Sequence, residues 1–167
     1  LLELSGVAYV GSGVLGSAVA MDKAMAKMVL SAAGLPQARY HSAARWDLTE
    51  PLIGDIIGDL GYPLFIKPAN MGSSVGVSKA ASRAEVLAGI EAALIHDEIL
   101  VFEETIVGRE LEIGVLGNEL PRVSVPGEII PAAEFYYYDD KYRDGAAKTI
   151  VPADLDAELT EAMGKLA

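Results

Sequence analysis

Residues Ile66–Val77 read IKPANMGSSVGV, and the apolar run Pro63-Leu64-Phe65-Ile66 leads into them. A strand ends on Lys67. A loop follows in which Gly72 and Gly76 bracket Ser73, Ser74 and Val75, and the chain then returns to apolar residues. This pattern predicts a strand pair around a loop. It is not a P-loop, which leads into a helix through Gly-Lys-Ser/Thr, nor a dinucleotide fingerprint, because a strand follows it. Taken alone, the loop has two readings. It is a plain hairpin tip, or its glycines bring backbone N–H groups and two hydroxyls around an anion, with Lys67 adding a point charge.

Working outward, helices alternate with mostly antiparallel hairpins. A glycine-rich connection, Gly11 to Gly16, leads into a helix to about Ala20. Asp22 is a predicted N-cap for a helix through Ala33, with Met25, Met28 and Val29 as its apolar face and Gly34-Leu35-Pro36 as its stop. A short strand is expected at Arg39-Tyr40-His41 and a helix over Thr49 to Gly58. Ser82-Arg83-Ala84-Glu85 is a capping box for a helix to about Ile95. Ile99-Leu100-Val101-Phe102 reads as a strand covered on both faces. Arg109 to Leu116 alternates as a strand and turns at Gly117-Asn118 into Arg122–Val125. Past Pro131 the segment to Lys148 is polar and aromatic; Thr149-Ile150-Val151 is a further short strand and Asp156 to Ala167 a helix. The order of elements predicts an α+β fold rather than a doubly wound parallel sheet.

The 167 residues suffice for one core or two small lobes. A net charge of -11 and a pI of about 4.5 argue against nucleic-acid binding, which needs clustered Lys and Arg. No apolar stretch approaches the roughly 20 residues of a membrane span. Cys is absent, so neither disulfides nor thiolate metal sites arise, which fits a cytoplasmic protein. The opening Leu1 to Gly6 resembles the last turn of a helix closed by glycine, and the final helix has no cap. The expectation is a chain cut from the middle of a larger protein.

Each charged candidate has an ordinary reading beside the functional one. Lys23, at a helix start, is a solvated lysine or a partner for an anion that offsets the unfavourable helix dipole. Glu103-Glu104-Thr105-Ile106 leave the most apolar strand as solvated acids, or as a carboxylate and backbone that read a base edge. Glu110 lies on a solvent face, or holds a ribose diol. His41 and His96 have no second ligand at metal spacing, and Trp46, the only Trp, reads as a packing residue.

Taken together, these stretches resemble the D-alanine–D-alanine ligases, which are ATP-grasp enzymes. The resemblance rests on YVGSGVLGSAVAMDK (Tyr9 to Lys23), FIKPANMGSSVGVSK (Phe65 to Lys79), GRELEIGVLGN (Gly108 to Asn118), PGEI (Pro126 to Ile129), FYYYDDKY (Phe135 to Tyr142) and TIVPADL (Thr149 to Leu155), in the family's order. It implies an ATP-grasp fold, with 1–11 ending a missing N-terminal domain, 12–107 forming the central lobe and 108–167 an incomplete C-terminal lobe. It implies that Lys23 and Lys67 contact ATP phosphates and that Gly72, Ser73, Ser74, Val75 and Gly76 close over them. Glu103, Glu104, Thr105 and Ile106 would read adenine and Glu110 the ribose. Lys141 and Tyr142 would be lid residues, with Ser73 joined to Tyr142.

The implied reaction joins two D-alanines through an acyl phosphate for peptidoglycan precursor synthesis, with ATP and Mg²⁺, in the cytoplasm. Metal ligands are expected outside this chain, so the segment alone is expected to be inactive; a homodimer is compatible. Thr105 stands where the family often has an aromatic, and Tyr137 replaces a usual Asp. The alternatives are another ATP-grasp carboxylate–amine ligase and a non-catalytic nucleotide-binding module.

Overall fold

The computed structural model describes residues 1–130 and 148–167. The chain divides into two compact units, Leu1–Ile106 and Val107–Ala167.

The first unit carries α1 (Val14–Met21), α2 (Lys23–Ala32), β1 (Tyr40–Ala44), a short 3₁₀ turn (Arg45–Asp47), α3 (Glu50–Leu60), β2 (Leu64–Pro68), β3 (Ser78–Ala80), α4 (Arg83–Ala93) and β4 (Ile99–Glu104). The strands form one antiparallel sheet in the order β1-β4-β2-β3. The β2–β3 pair encloses the Gly-Ser loop, as the sequence predicts, although β3 begins at Ser78 rather than Val75. β4 is a central strand, bonded to β1 on one side and β2 on the other, and its last amide, Glu104 N, donates to Arg39 O at 3.1 Å.

The period-2 alternation of β2 and β4 sorts their side chains onto two faces. Leu64, Ile66, Leu100 and Phe102 enter the main core, which α3 and α4 cover with Ile53, Ile56, Val86 and Ile90. The helices start where short polar side chains cap them. Thr49 Oγ1 accepts from Leu52 N, and the Ser82–Glu85 box forms, with Glu85 Oε2 accepting from Ala81 N at 2.9 Å.

The opposite face carries Phe65, Lys67, Val101 and Glu103, and α2 lies against part of it. Ala24 packs there with Ala69 and Val101. This orientation of α2 reverses the expected one. Met25, Met28 and Val29 are exposed, while Lys23, Ala24 and Lys27 turn to the sheet. The buried acid Glu103 on that face gives Lys27 a partner, and the carbonyls of Pro68 and Ala69 take Lys23, which overrides the apolar pattern. Trp46 also departs from expectation: it is 70% exposed on the 3₁₀ turn and is not a packing residue.

The second unit has β5 (Glu110–Glu112), β6 (Val115–Leu116), β7 (Arg122–Val123), β8 (Gly127–Ile130), β9 (Lys148–Ile150) and α5 (Ala157–Leu166). The alternating run Arg109–Leu116 is not one strand. It splits at Ile113-Gly114, so that β5 joins a β5-β8-β9 sheet and β6 pairs only with β7. Ser124 makes the split: its Oγ accepts from Gly114 N at 2.9 Å, and its N donates to Gly114 O at 2.8 Å. Arg109 grips the Glu128 carboxylate with two bonds of 2.7 Å and also donates to Asp154 O. No helix of the described residues is long and apolar enough to cross a membrane.

Candidate functional site

The end of β2, the start of α2 and the end of β4 converge on the face opposite the main core. Lys67 is on β2, and Glu103 stands across from Phe65 on β4, so lysine and acid are diagonal neighbours. Their side chains form an ion pair through Glu103 Oε2. Lys27 Nζ reaches Glu103 Oε1 at 3.0 Å and lies 4.8 Å from the Tyr40 ring centroid. Glu103 is only 9% exposed. Burial pushes its carboxyl up, but the charge of Lys67 and the hydrogen bonds from Lys67 and Lys27 outweigh this. The carboxyl is held below the usual carboxylate range.

Lys23 is tied to the start of the loop. Its backbone N donates to Ala69 O at 3.0 Å; its Nζ donates to Pro68 O at 3.0 Å, to Ala69 O at 3.3 Å and to Met71 O. Burial, and secondarily the charge of Lys67, lowers the Lys23 ammonium from its ordinary value, against the pull of Glu103, Asp97 and Asp22. Three carbonyls thus occupy the three donors of an ammonium that the family resemblance assigns to phosphate.

The loop itself turns through left-handed backbone, with φ of 52° at Ser73, 60° at Ser74 and 69° at Gly76. Such conformations cost non-glycine residues energy, and successive N–H groups in them form anion-binding concavities. Gly76 is required twice over, because a Cβ there would also lie 2.7 Å from His96 Cδ2 and 3.0 Å from Pro68 Cγ. Bonds from Val75 N to Gly72 O and from Val77 N to Ser74 O close the turn. At the loop's entry Asp97 Oδ2 accepts from Asn70 N at 2.7 Å and Asn70 Nδ2 at 3.0 Å, and Oδ1 from Ile99 N at 3.2 Å. Partial burial raises the Asp97 carboxyl, yet these donors together bring it below its ordinary value.

The two adjacent acids separate. Glu104 points the other way from Glu103 and accepts from Arg39 N at 2.7 Å and Arg39 Nε at 2.8 Å, so it is not part of the lysine cluster. Thr105 follows with a buried Oγ1 that has no hydrogen-bond partner among the described residues, and Ile106 is exposed. Glu110 is exposed on β5 in the second unit. Lys141 and Tyr142 lie outside the described residues. His41 Nε2 is bonded to Asp59 Oδ2 at 2.8 Å, away from the cluster.

Lys23, Lys67, Glu103 and the 72–76 loop are therefore brought to one region. Lys27 is the member that sequence reasoning missed. Its signal was present: it stands four residues after Lys23, hence on the same helix face. No three His, Cys, Asp or Glu side chains come together as a metal site among the described residues.

A family model described as "D-ala D-ala ligase C-terminus" matches residues 29–167. A D-alanine–D-alanine ligase of Geobacillus kaustophilus is 48% identical over all of this chain and 46% of its own length. One from Natranaerobius thermophilus is 49% identical over 95% of this chain and 44% of its own. Among solved structures, the VanG D-Ala:D-Ser ligase of Enterococcus faecalis superposes with a TM-score of 0.86 at 36% identity, covering 98% of this chain and 48% of that one. A D-alanine–D-alanine ligase from Coxiella burnetii gives 0.83 at 33%, covering 99% of this chain and 43% of that one. The fold is the α+β ATP-grasp fold of these neighbours. The chain spans about half the length of the relatives it matches.

Proposed function

The chain belongs to the D-alanine–D-alanine ligase family, and from that membership we propose that it is the nucleotide-handling part of an ATP-dependent ligase. The reaction moves the γ-phosphoryl group of ATP to the carboxylate of one D-alanine. The amine of a second D-alanine then attacks the acyl carbon and displaces phosphate. The work belongs to the cytoplasm and supplies peptidoglycan precursor. In this reading 1–11 end an N-terminal domain, 12–107 are the central lobe and 108–167 begin the C-terminal lobe.

The observation that carries the reading is the cluster of Lys23, Lys67 and Glu103 beside a loop in left-handed backbone. Lys67 supplies charge to the phosphates, and the loop from Gly72 to Gly76, closed on itself by the Val75 N–Gly72 O bond, lies over them. Glu103 accepts from the 6-amino group of adenine, with the backbone of Glu104 to Ile106 along the base edge and Glu110 on the ribose. Lys23 fixes the entry of the loop and turns to phosphate when its carbonyls are exchanged. Phosphoryl transfer depends mainly on such positioning and charge stabilisation. Lys141 and Tyr142 are assigned by resemblance alone, as lid residues with Tyr142 bonded to Ser73. The described residues do not form a ligand set for the Mg²⁺ that the family's chemistry implies, and no step is routed through it.

The acceptor is the finer part of the proposal, since one neighbour is titled a D-Ala:D-Ser ligase. The test gives the full-length protein ATP with D-alanine, D-serine and D-lactate in competition. ADP and D-alanyl–D-alanine are the expected products by mass. A dominant D-alanyl–D-serine or ester product would overturn the acceptor assignment, and absence of amino-acid-dependent ADP formation would overturn the ligase reading. Sedimentation of the same sample reports whether it is a homodimer.

A further inference from the structure

We propose that Lys27 is a positioning residue that holds Glu103 as an acceptor for the base, and through it sets the preference for ATP over GTP. This rests on the nucleotide reading above and adds a residue to it. The two oxygens of Glu103 are divided between two lysines on different elements. Oε2 takes Lys67 from β2, and Oε1 takes Lys27 from α2 at 3.0 Å. The two cations are not equivalent. Lys67 adjoins the Gly-Ser loop, and its side chain is 23% exposed. Lys27 is 14% exposed and shares its helix face with the buried Ala24; each lysine also lies over a ring, Lys27 over Tyr40 at 4.8 Å and Lys67 over Phe65 at 5.4 Å. Lys67 is the cation placed to leave for phosphate. Lys27 is the one placed to stay.

The consequence is chemical. A carboxylate buried without a cation takes up a proton. A protonated acid both donates and accepts, so it pairs with either an amino or a carbonyl group. An ionised carboxylate only accepts: it suits the 6-amino group of adenine and opposes the 6-carbonyl of guanine, which is discrimination by a repulsive contact. Lys27 keeps Glu103 in this second form, and at a fixed angle, after Lys67 has turned away. A purely structural ion pair between α2 and β4 would have no such selectivity.

The test uses the full-length protein, comparing wild type with Lys27→Met, which keeps an apolar stem, and Lys27→Arg. Dissociation constants for ATP and GTP are measured by titration calorimetry and ATP kinetics in the steady state. Lys27→Met should reduce the ATP/GTP preference about tenfold, a typical worth for one charge-assisted hydrogen bond. The loss should fall on the KM for ATP rather than on kcat, and Lys27→Arg should restore most of it. In a Glu103→Gln background, Lys27→Met should change the preference no further. Equal weakening of both nucleotides, or a fall in kcat alone, would mark a structural pair and overturn the inference. An unchanged preference in Lys27→Met would do the same while leaving the ligase reading standing. A wild type that binds neither nucleotide would overturn the ligase reading itself, and this inference with it.

Discussion

Lys67 and Glu103 are joined across neighbouring antiparallel strands: the acid faces Phe65, two residues along β2 from the lysine, and the two side chains form an ion pair. One cation thus has two candidate partners, a carboxylate within the sheet and a phosphate beside the loop. Lys67→Ala in the full-length protein should lower kcat/KM for ATP roughly a hundredfold, about 3 kcal/mol of transition-state stabilisation. Lys27 still neutralises Glu103 in that variant, so the circular dichroism spectrum should be unchanged. Wild-type kinetics in this variant would remove Lys67 from the site.

Acid should loosen this region. Glu103 and Asp97 are both held below their ordinary values of 4.5 and 3.8. A depressed carboxyl contributes stability that is complete above its ordinary value and lost as pH falls through the lower folded value. The urea midpoint should therefore drop from about pH 5 downward, and Asp97→Asn should flatten the drop. An equally steep profile in Asp97→Asn would show that Asp97 contributes nothing.

Two helical glycines should respond oppositely to alanine. A Cβ at Gly89 on α4 would meet Ser78 Oγ and stand 3.1 Å from Ile66 Cδ1, whereas at Gly54 on α3 it would meet nothing within 4 Å. Gly89→Ala should destabilise by about 1–3 kcal/mol through overpacking. Gly54→Ala should stabilise by about 0.5–1 kcal/mol through helix propensity. Thermal melts of the two variants would give the signs directly, and a shared sign would contradict the packing described at α4.

Gly76→Ala combines a left-handed backbone with a collision against His96. The loop must shift, so the KM for ATP should rise by about tenfold, equivalent to roughly 1.4 kcal/mol. A second substitution, His96→Ala, removes the closer contact but neither the backbone strain nor the 3.0 Å approach to Pro68 Cγ, and should recover part of the loss. No recovery would mean that the strain and the Pro68 contact decide this position without His96.

The sequence disclosed the sheet because its strands are bounded by strong signals: Pro63, the Gly-Ser loop, the Ser82 box. Lys23, Lys67 and the loop were joined through the family resemblance, since each taken alone also has an ordinary reading. The orientation of α2 was hidden because hydropathy ranks Met25, Met28 and Val29 above Lys23 and Lys27, while Lys23 is held by carbonyls of the distant loop entry and the buried partner of Lys27 is a carboxylate 76 positions after it. Nothing local encodes that pairing. The break between β5 and β6 was equally hidden, since it depends on Ser124 meeting Gly114 across a hairpin.

The position of β4 in the middle of its sheet has a consequence for amide hydrogen exchange. From Ile99 to Glu104 the strand is bonded on both sides, with Glu104 N donating to Arg39 O. Ile106, just beyond it, is exposed. Deuterium uptake should therefore be slow through Phe102 and fast from Ile106 on, a boundary within a few residues. Protection of Ile106 on adding ATP, with no change at Phe102, would locate bound base edge at the point where the sheet stops consuming its own hydrogen bonds.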